Sequence, residues 1–146
     1  MTELDEFIAQ CQQALGHQVR GDSVPFLECW SHADDVAILG AVGSYARGWE
    51  AVRAHLLGTG KTLRLHHWTD LRVEDILATA ADGLAVWVGL ERMTRWVDGR
   101  TEGRTLRTTQ VYRREDGRWR LILRHANRVS AEDESQEQSL LADDQA

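Results

Sequence analysis

An α+β fold, with helices on one face of a long antiparallel meander, is predicted by three observations. Apolar residues recur at helical spacing in the N-terminal part of the chain, at Leu4, Phe7, Ile8, Cys11 and Leu15 and again at Trp49, Val52 and Leu56. From Leu63 onward the spacing changes to alternation, the period of half-buried strands. Asp98-Gly99 and Glu115-Asp116-Gly117 then supply hairpin-type reversals between alternating runs.

Taken in order, Thr2 followed by Asp5 can cap the first helix, which the stretch from Gly16 to Gly21 ends. Asp22 caps a short second helix, where Pro25 is tolerated in the first turn and Phe26, Leu27 and Trp30 supply the buried side. His32-Ala33-Asp34-Asp35 forms a turn into a short strand from Val36 to Leu39, and its two acids are read as turn-capping groups rather than a catalytic pair. Gly40 to Ser44 is a loop with Tyr45 after it. Gly48 opens a third helix, and Gly58 to Gly60 stops it. Leu63 to Val73 then alternates as a long strand that turns His67 inward. Leu84 to Trp96 is another, with Val86, Val88, Leu90, Arg92, Thr94 and Trp96 on one face.

The stretch Arg104 to Arg128 organises the rest, as two strands joined at Glu115-Asp116-Gly117. With Arg113 opposite Trp119, the residues Arg107, Thr109, Val111, Trp119, Leu121, Leu123, His125 and Asn127 share one face. That face is apolar near the turn and polar toward its far end, the pattern of a core surface that runs into a ligand cavity. The assignment requires that no bulge intervene between Trp119 and His125, because one extra residue would turn His125 outward and Arg124 inward. Trp68, Trp87, Tyr112 and Ile122 then fall on the outer face, and so much aromatic surface predicts a homodimer formed through the sheet.

A chain of 146 residues favours a single domain, placed at residues 1–130, followed by an acidic, flexible tail at 131–146. Seventeen bases against 23 acids give a net charge of −6, which argues against a nucleic-acid binder because phosphate contacts need a basic surface. From Ala131 onward there are six acids and no base, so the preceding part is close to neutral. Cys11 and Cys29 have neither metal-ligand nor disulfide-framework spacing and are read as free thiols in a reducing compartment. No signal peptide opens the chain and no apolar run approaches the ~18 residues of a membrane span, so a soluble cytoplasmic protein with no membrane partner is expected. His66 and His67, being adjacent on a strand, point to opposite sides and cannot share an ion. No metal site, phosphate loop, nucleophile elbow or cofactor is expected.

Several motifs resemble the NTF2-like superfamily, in particular its SnoaL-like and ketosteroid-isomerase-like small proteins. They are the Gly21-Asp22 helix start, Trp30-Ser31-His32-Ala33-Asp34-Asp35, Arg47-Gly48-Trp49-Glu50-Ala51-Val52, and Asp116-Gly117-Arg118-Trp119-Arg120 through Arg124-His125-Ala126-Asn127. The resemblance covers roughly residues 4 to 128 and implies a cone-shaped, cystatin-like fold: three N-terminal helices packed on a strongly curved antiparallel sheet, a pocket inside, and dimers through the sheet. This fold hosts isomerases, dehydratases, cyclases, hydrolases and non-enzymatic modules, so chemistry has to be argued from the site. The steroid isomerase tyrosine would fall on Ala14, its base aspartate near Gly40 and its second donor near Thr109, so that mechanism lacks both its base and its principal donor. A second resemblance, to the association domain of calcium/calmodulin-dependent kinase, rests on Arg92-Met93-Thr94-Arg95-Trp96-Val97-Asp98-Gly99, where Arg92 matches a pocket arginine. The other pocket arginines of that family would fall near Gln110 and Ala126.

Within the expected pocket, His125 and His67 are the candidate general bases, because imidazole titrates near neutrality; hydrogen-bonded structural histidines are the competing reading. Trp30, Tyr45 and Trp49 offer flat contacts to a ring-shaped ligand, with core packing as the competitor for the two tryptophans. Arg92, Arg107, Thr109 and Asn127 complete the ligand-binding set. The resulting expectation is a small-molecule-binding protein whose ligand is acidic or aromatic. A cofactor-independent isomerase, cyclase or dehydratase with a pocket histidine as general base is the alternative.

Overall fold

A computed structural model describes residues 1–41, 43–130, 132, 133, 135 and 136. Helix α1 (Glu3–Val19) starts as expected, with a capping box in which Thr2 Oγ1 accepts from the Asp5 amide at 3.1 Å and Asp5 Oδ2 accepts from the Thr2 amide at 3.0 Å. It continues through Gly16 instead of ending there. Helix α2 (Val24–Glu28) has Ser23, not Asp22, at its N-cap and Pro25 in its first turn. Helix α3 (Trp49–Leu65) passes through Gly58 and Gly60. A Cβ on Gly60 would stand 2.5 Å from Ser23 Oγ, so this glycine permits close approach to the α2 segment and is not a stop. The strand expected from Leu63 consequently begins only at Trp68, and His67 lies exposed in the preceding turn at φ 62°.

The strands are β1 (Ala37–Leu39), β2 (Tyr45–Arg47), β3 (Trp68–Ala81), β4 (Leu84–Val97), β5 (Arg100–Glu115) and β6 (Arg118–Val129). They form one curved, unclosed sheet in the order β2-β1-β6-β5-β4-β3. Pairing is antiparallel except between β1 and β6, which run parallel. Strand β2, to which no element is assigned from the sequence, follows the loop expected at Gly40 to Ser44 and pairs with β1. Asp75 ties helix to sheet: its Oδ1 accepts from Trp87 Nε1 at 2.6 Å and from Gln12 Nε2 of α1 at 2.7 Å.

Two local features decide which side chains face the helices. Asp116 at φ 51° and Gly117 at φ 77° make a two-residue reversal, so Trp119 pairs with Arg114 and not with Arg113. Three residues beyond Trp119, Tyr112 pairs with Leu121 but Val111 pairs with Leu123, which leaves Ile122 as a bulge. Beyond it Arg124 and Ala126 turn inward and are buried, while His125 and Asn127 turn outward and are exposed. Strand β4 likewise buries Ala85, Trp87, Gly89, Glu91 and Met93 and directs Val86, Val88, Leu90 and Arg92 outward. The expectation that Arg92, Arg107, Thr109, His125 and Asn127 line the inner face is therefore corrected: all five lie on the outer face. Trp68, Trp87 and Tyr112, expected outside, are 5%, 1% and 1% exposed within the core.

The inner face is layered. Nearest the β5–β6 turn, Trp87, Tyr112 and Leu121 join Phe26, Trp30 and the apolar stripe of α1 in the larger core cluster. Farther along come the polar side chains of Glu91, Thr108, Gln110 and Arg124, all buried. A second apolar cluster follows, built on Val19, Trp68, Met93, Leu106 and Ala126. Cys11 and Cys29 are buried and free, as expected. No helix among the described residues is long and apolar enough to cross a membrane. Of the tail expected at 131–146, Glu132, Asp133, Ser135 and Gln136 are described and helical, with Ser130 Oγ accepting from the Asp133 amide at 3.0 Å. The remainder, including Leu140-Leu141, lies outside the described residues.

Candidate functional site

A cavity of about 110 Å³ lies between α1, α3 and the inner face of the sheet. The apolar stripe of α1 continues past Leu15 to Gln18 and Val19, while α3 contributes His55, Leu56, Thr59 and Leu63. Met93, Leu106 and Ala126 of the second cluster form the sheet wall, and Glu91 and Arg124 the polar floor.

The floor is a closed hydrogen-bond network. Arg124 Nη2 donates to Glu91 Oε1 at 2.6 Å and Nη1 donates to Glu91 Oε2 at 2.9 Å, a two-pronged ion pair with side chains only 8% and 3% exposed. Thr108 Oγ1 donates to Glu91 Oε1 at 2.9 Å, Arg124 Nη1 also donates to Gln110 Oε1 at 2.9 Å, and Gln110 Nε2 donates to the Tyr112 hydroxyl at 2.9 Å. Burial works against the charge on Arg124, but the adjacent Glu91 carboxylate more than offsets it and holds the guanidinium pKa above its ordinary value. Burial also pushes the Tyr112 hydroxyl well up, so it is a neutral anchor and not a proton donor to chemistry. With its charges mutually satisfied, this floor supplies rigidity and polarity in place of a free reactive group.

The free groups lie higher. Gln18 Nε2 donates to the Leu56 carbonyl at 2.8 Å, but its Oε1 is buried without a partner among the described residues. His55 is half-buried, and desolvation lowers its pKa below the ordinary histidine value, so the ring is neutral at pH 7. Its edge abuts Gly40: a Cβ there would stand 3.1 Å from His55 Cε1 and Nε2. Arg104, on the sheet side, completes the titratable lining together with Glu91 and Arg124.

None of the residues singled out from the sequence reaches this cavity. His125, Arg107 and Asn127 are exposed and Thr109 is half-buried on the outer face; Arg92 there lies 3.7 Å from Glu74. His67 is exposed in its turn, and Tyr45 is 79% exposed. Trp49 is half-buried and stacks on His32 at 4.0 Å. Trp30 is buried edge-on to Phe26 and borders a separate, open groove between the start of α1 and the β5–β6 turn. That groove is wider, at about 850 Å³, but open, and two of its acids are engaged, Glu3 by Arg114 and Glu115 by Arg113 and Ser31. Asp35, as its turn position implied, is structural: it takes both Arg113 Nη atoms at 2.7 and 3.0 Å, and this pairing lowers its pKa. Among the described residues no group of three or more acids, histidines or cysteines could hold a metal.

The residues that do line the cavity carried a signal. His55 lies between Val52, Leu56 and Thr59 on the inward stripe of α3, and Gln18 extends the stripe Cys11, Ala14, Leu15. Glu91, Arg104 and Arg124 became visible only once the face of each strand was known.

A pocketed cone of this kind, helices against a curved sheet, is the NTF2-like architecture. A SnoaL-like domain model matches residues 9–127, and the chain belongs to that family. Among solved structures it is similar to a protein with a cystatin-like fold from Caulobacter vibrioides (22% identity, 95% of this chain and 99% of that one, TM-score 0.69). It is also similar to an NTF2-like protein with a cystatin-like fold from Novosphingobium aromaticivorans (22% identity, 91% and 85%, TM-score 0.63). A third is assigned as a calcium/calmodulin-dependent protein kinase type II association domain, from Thiobacillus denitrificans (22% identity, 88% and 93%, TM-score 0.66). Comparison with curated proteins finds no match.

Removal of one member of the floor pair should be costly. Arg124→Leu is expected to destabilise the chain by about 3 to 5 kcal/mol, because Glu91 would remain buried without its partner, and Glu91→Leu in the same chain should recover much of that loss. Urea unfolding of the two single variants and the double variant measures the coupling.

Proposed function

We propose that the protein binds a small organic molecule in the cavity between α1, α3 and the sheet. The observation that carries this reading is the buried, unpartnered Gln18 Oε1 beside a largely aliphatic space of about 110 Å³. A buried acceptor left without a donor costs free energy that a bound molecule can recover. The satisfied floor beneath would fix the shape of the site without competing for the ligand. The cytoplasm is the compartment we assign, on the strength of the two free thiols.

A second reading, proton-transfer catalysis without a cofactor, is favoured by one observation. His55 occupies the space next to Gly40, the position where the steroid isomerases were expected to carry their base. A neutral imidazole in a partly dry pocket is a competent general base. This reading replaces His125 and His67 with His55 as the proton acceptor.

For its assembly, we propose a homodimer through the outer face of the sheet. Support comes from other residues than the aromatics counted on that face from the sequence: Val86, Val88 and Leu90 on β4, Val111 on β5 and Leu123 on β6 face outward and are only half-buried, and Trp96 on the same face of β4 is exposed.

Three outcomes are expected. Met93 lines the cavity, so its methyl NMR signal should shift saturably with hits from a small-molecule library, and Thr59→Trp, which plugs the helix side of the cavity from an exposed position, should abolish those shifts. Hits that persist unchanged in Thr59→Trp would place binding elsewhere.

His55, whose folded pKa is lowered, takes up protons more readily when the chain unfolds. Stability should therefore be insensitive to this group above its unfolded pKa of ~6.5 and fall as pH drops from there toward the folded value. His55→Gln should flatten the part of a melting-temperature profile that lies below about pH 6.5.

Light scattering at micromolar concentration should return twice the mass of one chain, and Val88→Arg should return one chain's mass with its circular dichroism unchanged.

A further inference from the structure

The inner face of the sheet ends in three arginines, one on each of its long central strands: Arg95 on β4, Arg104 on β5 and Arg128 on β6. Arg95 is neutralised, since its Nε and Nη2 donate to Glu102 Oε2 at 3.0 and 2.8 Å and its Nη1 donates to the His66 carbonyl at 3.0 Å. Arg104 is not. Among the described residues no carboxylate lies within ion-pair distance of it, and its Nε is buried with no acceptor. Its guanidinium lies over the Trp68 ring at 4.7 Å, and Arg95 lies over the same ring at 4.9 Å. Contact with the ring holds the face of the guanidinium and leaves its N–H edge free to bind.

Arg104 also lines the cavity, and it sets the charge there. Of the four titratable groups in the lining, Glu91 and Arg124 cancel and His55 is neutral, which leaves Arg104 as the one uncompensated charge. Burial, and then the proximity of Arg128 and Arg95, lower the pKa of Arg104, as for a cation without its anion. Next to it the wall is aliphatic, formed by Met93, Leu106 and Ala126.

We propose, on the reading that this cavity holds a small molecule, that the molecule is an aliphatic carboxylate monoanion carrying one hydrogen-bond donor, with its carboxylate on the Arg104 edge, its donor toward Gln18 Oε1 and its hydrocarbon body against Met93, Leu106 and Ala126. A planar carboxylate matches the guanidinium fork, and one negative charge balances the lining. A dianion would leave one negative charge unbalanced in a lining that also holds the Glu91 carboxylate. The volume of about 110 Å³ admits on the order of four non-hydrogen atoms, judged against the ~30 Å³ a water molecule occupies.

The test uses the chain labelled with [methyl-13C]methionine. Its two methionines are Met93, buried in the cavity wall, and Met1, which is 93% exposed and reports surface association. Carboxylates of about two to four carbons, with and without a hydroxyl, are titrated alongside their isosteric amides, with inorganic phosphate as a third probe. Met93 should shift with at least one carboxylate while Met1 does not, and its amide should bind at least about tenfold more weakly, as expected for loss of a charge-assisted contact. Arg104→Gln should reduce the acid to the level of the amide, Arg104→Lys should retain part of the preference, and Arg72→Gln, on an exposed side chain, should change nothing. Equal binding of acid and amide to the native chain overturns the monoanion and leaves the pocket standing. A preference that survives Arg104→Gln overturns the role of Arg104, and phosphate matching the acids at Met93 overturns the carboxylate. If no probe moves Met93 and the wider library does, the carboxylate class falls alone; if neither moves it, the pocket reading falls too.

Discussion

Burying Arg124 against Glu91 is the constraint on which the rest of the inner face depends. Two opposite charges in a low-dielectric interior are tolerable only when every lone pair and N–H around them is occupied. Thr108 and Gln110 meet that requirement from β5, and Gln110 in turn engages the Tyr112 hydroxyl. The Phe26 ring lies 5.8 Å from the guanidinium on the helix side. This belt divides the apolar interior in two. The larger cluster below it contains Trp30, Trp87, Tyr112 and the buried faces of α1 and α3, where the bulk of the packing is. The smaller one above, around Trp68, Met93 and Leu106, borders the cavity. A charged layer lets the second cluster remain incompletely filled without the larger one collapsing into the space, because moving the belt would break the ion pair.

The bulge at Ile122 makes that arrangement possible. Strict alternation from Leu121, whose side chain is fully buried, would turn Leu123 and His125 inward and send Arg124 to solvent. One additional residue reverses the sense of everything that follows it on β6. Its position between the two clusters is therefore not incidental: Leu121 packs below the belt, and Arg124 forms it. The same reversal places His125 opposite Thr109 on the outer face, where the two flank the aliphatic strip formed by Val86, Val88, Leu90, Val111 and Leu123.

Local chemistry was legible in the sequence. Thr2 and Asp5 form their capping box, Gly48 opens α3, and Asp98-Gly99 and Asp116-Gly117 reverse the chain with positive φ values. The order of elements and the family resemblance followed from these. Facing did not, for two physical reasons. The turn uses two residues where three were counted, which slides the register by one, and a bulge carries almost no sequence signature on a strand already rich in arginine. In addition, polarity is a poor guide to burial here. On β4 the outward run Val86, Val88 and Leu90 is uniformly aliphatic, whereas the inward set mixes Trp87 and Met93 with Ala85, Gly89 and Glu91, so aliphatic alternation selects the wrong face. Gly60 misled in a similar way: it reads as a helix stop, but its missing Cβ serves contact with Ser23.

The inverted polarity of β4 bears on function as well as on prediction. A sheet that needed only to cover its helices would direct its aliphatic residues inward and its charges outward. Here the inward face carries Glu91, Thr108, Gln110, Arg124 and Arg104 among its apolar residues, while the outward face carries Val86, Val88, Leu90, Val111 and Leu123 beside its own charges. Each departure has a cost unless something meets it. The ion pair meets the cost of Glu91 and Arg124, and a second chain would meet the cost of the outer strip. Arg104 has no such partner among the described residues, although it stands on the cavity side of the belt with its Nε buried. Arg128, also on that face, is exposed to solvent, so of the inward charges Arg104 is the one whose placement the fold alone does not account for, and a bound anion would account for it.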